Sequence, residues 1–271
     1  MSKRTRLITA VAAGATAVVM LSGCSTSVAG QPVAETPNVT TAAADASAES
    51  PYVSVTVTPP RVGNDGVQYG NLPYPGIAIG QHQADGRTKD CTLGPQVRSG
   101  SRAGFLTAGH CDRTPGGEVF VFADPDAKQP VLVGVISDAG VSTAPSPDLD
   151  VAILWTNSAD PSAARIAGKY PVVEVMPTEQ VRKLPAGTPI CVDGAWSGVH
   201  CSDLISADEK IRYEHGTEGG DSGGPVFVVD REGRATLIGI HRGHDPDMPT
   251  VGEATILAAA LDHLAVTAVT G

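Results

Sequence analysis

The run GGDSGGPV, residues 219–226, sets Ser222 among glycines. Without Cβ atoms the backbone can turn tightly there and aim several N–H groups at one point, as a developing oxyanion requires. A serine hydroxyl alone is a weak nucleophile. It needs a base within hydrogen-bond reach, and a third group that fixes the base's tautomer and stabilises the cation as it forms. Two other blocks supply those residue types. FLTAGHC, residues 105–111, ends an apolar run with His110 directly before Cys111, and DLDVAIL, residues 148–154, puts Asp148 and Asp150 at the mouth of another. The chain order is histidine, aspartate, serine, and the chemistry open to such a set is acyl transfer.

Residues so far apart must be brought together by a scaffold. From about Pro73 onward, short apolar runs alternate with Gly, Pro, Asp and Asn, as in GIAIG, VFVFADP, VLVGVIS and VAILW. That pattern reads as antiparallel all-β structure. VVDREGRATLIGI, residues 228–240, reads as a hairpin turning near DREGR. Close to the end, Ile256, Leu257, Ala260, Leu261, Leu264 and Ala265 recur at helical spacing and predict one amphipathic helix packed on the domain. With 271 residues, 31 glycines and 21 prolines, the chain is long enough for one large all-β unit or two small domains. Its formal net charge of −10 argues against a nucleic-acid partner.

The first residues carry the marks of export: Lys3, Arg4 and Arg6, an apolar run over residues 7–21, then LSGC. The run is too short for a comfortable membrane span. LSGC, residues 21–24, resembles the lipobox of bacterial lipoproteins, which implies a signal peptide over residues 1–23 and a lipidated Cys24. Residues 24–72, rich in Ser, Thr, Ala, Pro and Val, read as a flexible tether. The expected location is the outer face of the cell membrane through the lipid anchor, or the medium if the chain is shed.

Three blocks in this order resemble the chymotrypsin-like serine peptidases, and the cysteine pattern resembles their bacterial streptogrisin and glutamyl endopeptidase-like branch, over about residues 76–269. The resemblance implies a double six-stranded antiparallel β-barrel over residues 73–271. It implies a monomeric serine endopeptidase that acts on protein or peptide substrates without cofactor or metal. His110 would be general base and acid, Asp150 its orienting carboxylate and Ser222 the nucleophile, with the N–H groups of Gly220 and Ser222 as oxyanion hole. Asp148 competes with Asp150, but Asp150 is the one followed at once by VAIL.

The same resemblance pairs Cys91 with Cys111 and Cys191 with Cys201, which leaves Cys24 as the odd cysteine. Zinc is disfavoured, since neither pair has CxxC spacing. In the family, the aspartate before the nucleophile is held by a freed N-terminus or by an arginine. The arginine would fall near CVDG, residues 191–194, and is absent, so the partner of Asp221 is open.

Specificity rests on TLIGIHRGH, residues 236–244, where the family places the strand lining the primary pocket. Glutamyl endopeptidases carry a histidine there and a hydroxyl residue five positions before the nucleophile, which here are His241 and Thr217, with Gly243 close by. A histidine and a hydroxyl supply donors and a positive charge for a carboxylate, so cleavage after Glu or Asp is expected. Gly216 stands where trypsin-like members keep an aspartate, which disfavours cleavage after arginine or lysine. Glu218 and the net negative charge oppose an acidic substrate. Arg242 replaces a serine that in the family supports the triad aspartate. His215, His244 and Asp245 lie near enough to modulate the site, and His82, His200 and His263 read as surface or packing residues. The rival readings are a binding lipoprotein on an inactive peptidase fold, and an esterase.

Overall fold

The structure, a computed structural model, describes residues 50–58, 66–82, 88–137, 149–214 and 216–271, with Lys89 by its backbone alone. The expected signal peptide over residues 1–23, Cys24, Asp148 and His215 lie outside the described residues. Among the described residues no helix is long and apolar enough to cross a membrane.

Two closed β units carry the chain, antiparallel throughout except for one parallel pair within the second. In the first, the strands Gln96–Ser99, Arg102–Thr107, Ala152–Trp155, Pro130–Ser137, Glu118–Phe122, Ala78–His82 and Thr88–Thr92 follow one another in space. Thr88–Thr92 and Gln96–Ser99 are halves of one run broken at residues 93–95. Proline at position 95 has no N–H to give to a ladder, so the run bends there and pairs with Ala78–His82 at one end and Arg102–Thr107 at the other. Counted as one strand, the bent run joins the ends of the sheet into a ring of six. Thr267–Ala268 adds to its outer edge through Thr267↔Arg98.

The second unit closes directly. Pro189–Gly194, Gly198–Ala207, Ile211–Glu214, Val251–Ile256, Ala235–His244 and Pro225–Val229 pair in that order, and the last returns to the first. Tyr170–Val175 lies parallel on Ala235–His244 and carries Arg165–Ile166 at its side. The expected hairpin is present, with Val229 facing Ala235 and a turn between them. The C-terminal helix spans Leu257–Leu264 and buries Leu257, Ala260 and Leu261. Ile256 belongs to the preceding strand rather than to the helix, because its extended backbone still pairs with Gly239.

Alternate residues of the strands fill the cores. Phe105, Leu154, Ile79 and Val121 lie within the first unit, and Tyr213, Ile211, Val226 and Ile238 within the second. A third cluster joins the two through Leu106, Ile153, Cys191, Phe227, Ile240 and Leu257. That shared core fixes one barrel on the other, which a site divided between them requires.

The tether expected over residues 24–72 does not extend that far. Tyr52 bridges to Asp230, and Val57 exchanges both backbone hydrogen bonds with Val199. Val53, Val55 and Val57 rest on the shared core while Ser54, Thr56 and Thr58 are exposed. This is a two-residue alternation, and it makes an added strand of a segment whose serines and threonines suggest a linker. Further on, Val67 and Gln68 are buried and only Tyr69 begins to face solvent.

Phe227 is fully buried in the shared core. Phe227→Ala should cost about 3–5 kcal/mol, as large-to-small changes at such sites do, and a denaturant unfolding curve checks it.

Candidate active site

The strand Arg102–Thr107 runs beside Ala152–Trp155 with Thr107 opposite Ala152. His110 follows the end of one and Asp150 precedes the start of the other, so register alone makes them neighbours. The chain leaves the first strand through an extended Ala108 into a single turn, Gly109–Cys111. The Cys91–Cys111 disulfide pins that turn to the strand Thr88–Thr92, with Cα atoms 6.2 Å apart.

Asp150 grips His110 twice. The backbone N–H of His110 donates to Oδ1 at 2.8 Å, and the ring Nδ1 lies 2.7 Å from Oδ2. A carboxylate only accepts, so Nδ1 carries the proton and Nε2 is left as the basic nitrogen. The Asp150 side chain is nearly buried, whereas 30% of the His110 side chain is exposed. Burial alone would push the Asp150 carboxyl up. The hydrogen bonds and charge of His110, with Arg242 beside it, outweigh that and hold it below the usual carboxylate range. Arg242 places Nε 3.9 Å from Oδ2, so a second cationic side chain stands beside this carboxylate. Thr255 of the second barrel accepts the Asp150 N–H at 3.3 Å.

Ser222 sits on a loop held from beneath by the first barrel. Thr92 donates its N–H to the Ser222 carbonyl at 2.8 Å and its hydroxyl to the Gly220 carbonyl at 2.9 Å. Gly223 has φ +97°, and a Cβ there would lie 2.2 Å from the Thr107 hydroxyl and from the Thr92 carbonyl. Only glycine fits, by conformation and by space. With those carbonyls turned down, the N–H groups of Gly220 and Ser222 donate to no group among the described residues.

Asp221, fully buried, has no cation paired with it among the described residues. Its Oδ1 accepts the N–H groups of Trp196 at 2.9 Å and Ser197 at 3.3 Å. Its Oδ2 accepts the Ser197 hydroxyl at 2.6 Å and the Glu218 N–H at 2.7 Å. Several short donors can replace a counter-ion for a buried carboxylate.

A cleft of about 330 Å³ opens beside Ser222, lined by Thr217, Glu218, Gly220, His241, Arg242 and His244 among others. The pocket residues Thr217, His241 and Gly243 therefore come together with Ser222 and Gly220. His241 is almost wholly buried, and its Nδ1 lies 2.5 Å from the Tyr213 hydroxyl. Burial keeps that phenol's pKa well above its usual value, so it bonds as a neutral group. Tyr213 was not among the sequence candidates. Its one signal is Gly252, opposite it in register, where a Cβ would be 2.7 Å from the Tyr213 ring.

Other candidates lie apart. Asp245 accepts the N–H groups of Asp247 and Met248 and so shapes a turn. His82 meets Thr88 at the rim of the first barrel, and His263 is exposed on the C-terminal helix. The Cys191–Cys201 disulfide crosses directly paired strands. Among the described residues one cluster, Cys91, His110 and Cys111, has three possible metal-ligand atoms within 4.8 Å of one another, and both its sulfurs are engaged in the disulfide.

Ser197→Ala removes one of four donors to a buried carboxylate. The expected cost is about 1.5–3 kcal/mol, read as a lower urea midpoint at unchanged slope.

No family model matches the chain. Solved structures similar to it include the following two. One is Thermobifida fusca Protease A, at 21% identity over 73% of this chain and 98% of that one, with a TM-score of 0.51. The other is a glutamic acid specific serine protease described as using a histidine triad in substrate binding, at 22% identity over 73% and 100%, with a TM-score of 0.52. Together with the two closed six-stranded rings, this likeness shows that the chain has the chymotrypsin-like double β-barrel fold.

Proposed function

We propose that this protein is a serine endopeptidase in which His110, Asp150 and Ser222 act as a triad. The observation that carries the reading is the double grip of Asp150 on His110, which leaves Nε2 as the basic nitrogen, and it is supported by Ser222 on the lining of the cleft. Ser222 Oγ attacks the peptide carbonyl carbon while Nε2 takes its proton. The carbonyl oxygen becomes an oxyanion facing the N–H groups of Gly220 and Ser222. As the tetrahedral intermediate collapses, the C–N bond breaks and His110 returns the proton to the leaving amine. Water, activated by the same nitrogen, then attacks the ester and releases Ser222 and the carboxylic acid product.

The residue preferred before the scissile bond is an acidic one. Supporting this are His241 and Thr217 on the cleft, Nδ1 of His241 held by Tyr213, and the glutamic acid specificity of one structural neighbour. Glu218 on the same cleft works against it, so discrimination rests on the His241 contact outweighing that repulsion. The chain is proposed to work outside the cell on a lipid anchor at Cys24, which detergent partitioning of the full-length protein before and after Cys24→Ala tests.

In the full-length chain, Ser222 should be labelled by a fluorophosphonate, and Asp150→Asn should lower kcat about 10³–10⁴-fold by releasing the histidine tautomer. Ser222→Ala should abolish both labelling and cleavage. Labelling with hydrolysis of esters but not amides favours the esterase; a folded protein that resists the probe sinks the enzyme reading.

On fluorogenic peptides matched except for the residue before the scissile bond, Glu should be preferred to Leu, Phe and Arg. His241→Ala should remove at least about tenfold of that preference, the worth of one hydrogen bond to a charged group. Equal loss on every peptide would return His241 to a structural role.

A further inference from the structure

The nucleophile loop is set by Asp221, and Asp221 is held by the turn at residues 195–197 and by Glu218. What holds that turn is therefore part of the catalytic geometry. From the first barrel, the Thr92 hydroxyl accepts the Ala195 N–H at 2.9 Å. From the segment ahead of the first strand, Gln68 supplies the rest. Its backbone N–H donates to the Ala195 carbonyl at 2.8 Å, and its own carbonyl accepts the Ala78 N–H at 3.0 Å. Its side-chain Nε2 donates to the Gly194 carbonyl at 3.0 Å and to Asp193 Oδ1 at 2.5 Å. A carbonyl can only accept, so the NH₂ end of the amide must face the turn, and both of its hydrogens are used.

Asp193 makes this clamp more than packing. It is fully buried, and its Oδ2 has no hydrogen-bond partner among the described residues. Gly194 separates it from Asp221: a Cβ on Gly194 would fall 2.2 Å from the Asp221 carboxyl carbon, and one on Gly76 2.3 Å from Asp193 Oδ2. Two buried carboxyls thus straddle one glycine. Burial pushes the Asp193 carboxyl up to about 7, against hydrogen bonds from the Gln68 amide and the Ala167 backbone and with Asp221 adding to the rise. The other titratable group facing it is Tyr74, whose phenol burial keeps neutral. As pH rises through about 7, a charge appears in the site, and the Gln68 amide is the side-chain donor that meets it.

We propose that Gln68 is a positioning residue for the oxyanion loop: its amide clamps the 193–197 turn that holds Asp221, so that the segment before the first barrel must dock for Ser222 to be acylated. An internal strap thus does the work that the family assigns to an arginine or to a freed N-terminus. The proposal rests on the peptidase reading for its consequence, but the clamp itself can be read without catalysis.

The test uses the full-length chain with Gln68→Leu, which keeps bulk and loses both donors, and Gln68→Glu, which keeps shape and sets a carboxylate against Asp193. The rate of fluorophosphonate acylation of Ser222 should fall about 10- to 100-fold at pH 8, the scale of losing oxyanion-hole order. For Gln68→Leu the loss should grow between pH 6 and pH 8. Adding Asp193→Asn should flatten that growth, a coupling that a merely structural role would not produce. Hydrogen exchange supplies the readout independent of activity: the amides of Trp196, Ser197 and Glu218 should lose protection in both single variants, while those of the barrel strands keep it.

Wild-type acylation rates in Gln68→Leu, or a pH-independent loss unchanged by Asp193→Asn, would overturn the proposal, as would protection lost evenly through the barrels. If the wild-type protein itself resists the probe, the peptidase reading falls, and exchange at those three amides decides the clamp alone.

Discussion

The structure depends on what surrounds one carboxylate. Asp150 accepts the backbone N–H of His110 on one oxygen and its ring on the other, gives its own N–H to Thr255 of the second barrel, and has Arg242 of that barrel 3.9 Å away. An ionised carboxylate taken out of water is costly unless several donors replace its hydration. The two barrels supply them together, so the group that tunes the base also records whether the barrels are correctly seated. The same rule governs Asp221, whose four donors come from two separate segments. Both acids are buried, and each is satisfied in a different way.

Arg242 shows how the details diverge within a common fold. A hydroxyl at that position would only add a hydrogen bond, whereas a guanidinium adds a full charge. It helps hold Asp150 ionised, and it approaches the same oxygen as the His110 ring does. Its position on the cleft lining also puts positive charge within reach of a substrate, opposite in sign to Glu218. The cleft therefore presents charges of both signs beside His241, and selectivity depends on placement rather than on net potential.

Much of this was legible in the sequence because the chemistry constrains short stretches. The glycines around Ser222 reflect a backbone that only glycine can adopt or fit, as at Gly223. The block ending at His110 and the one beginning at Asp150 are strand ends, so each carries an apolar run as its marker. The short apolar runs between turn residues and the helical spacing near the C-terminus were read in the same way. Where local signals conflicted, composition misled. YVSVTVT, residues 52–58, alternates apolar and hydroxyl residues as a strand does, yet it sits in a Ser, Thr and Pro-rich stretch and reads as linker until Val199 is seen to pair with Val57.

What stayed hidden is whatever depends on register between distant segments. Tyr213 reaches His241 because two strands flanking Val251–Ile256 both pair with it, and no window of sequence contains that relation. Thr92, Thr255, Ser197 and Gln68 are ordinary polar residues by type, and each becomes specific only through the partner the fold brings to it. The absence of an arginine near residues 191–194 left Asp221 without an evident counter-ion, a gap that sequence could pose but not fill. The physical reason is that a cation is one way, not the necessary way, to stabilise a buried carboxylate. Backbone N–H groups and a hydroxyl do it with no distinctive residue type, and so leave no motif. A loop held by such donors can be rigid only if the backbone presenting them is itself fixed, and this moves the constraint outward, from Asp221 to residues 195–197 and from there to Gln68.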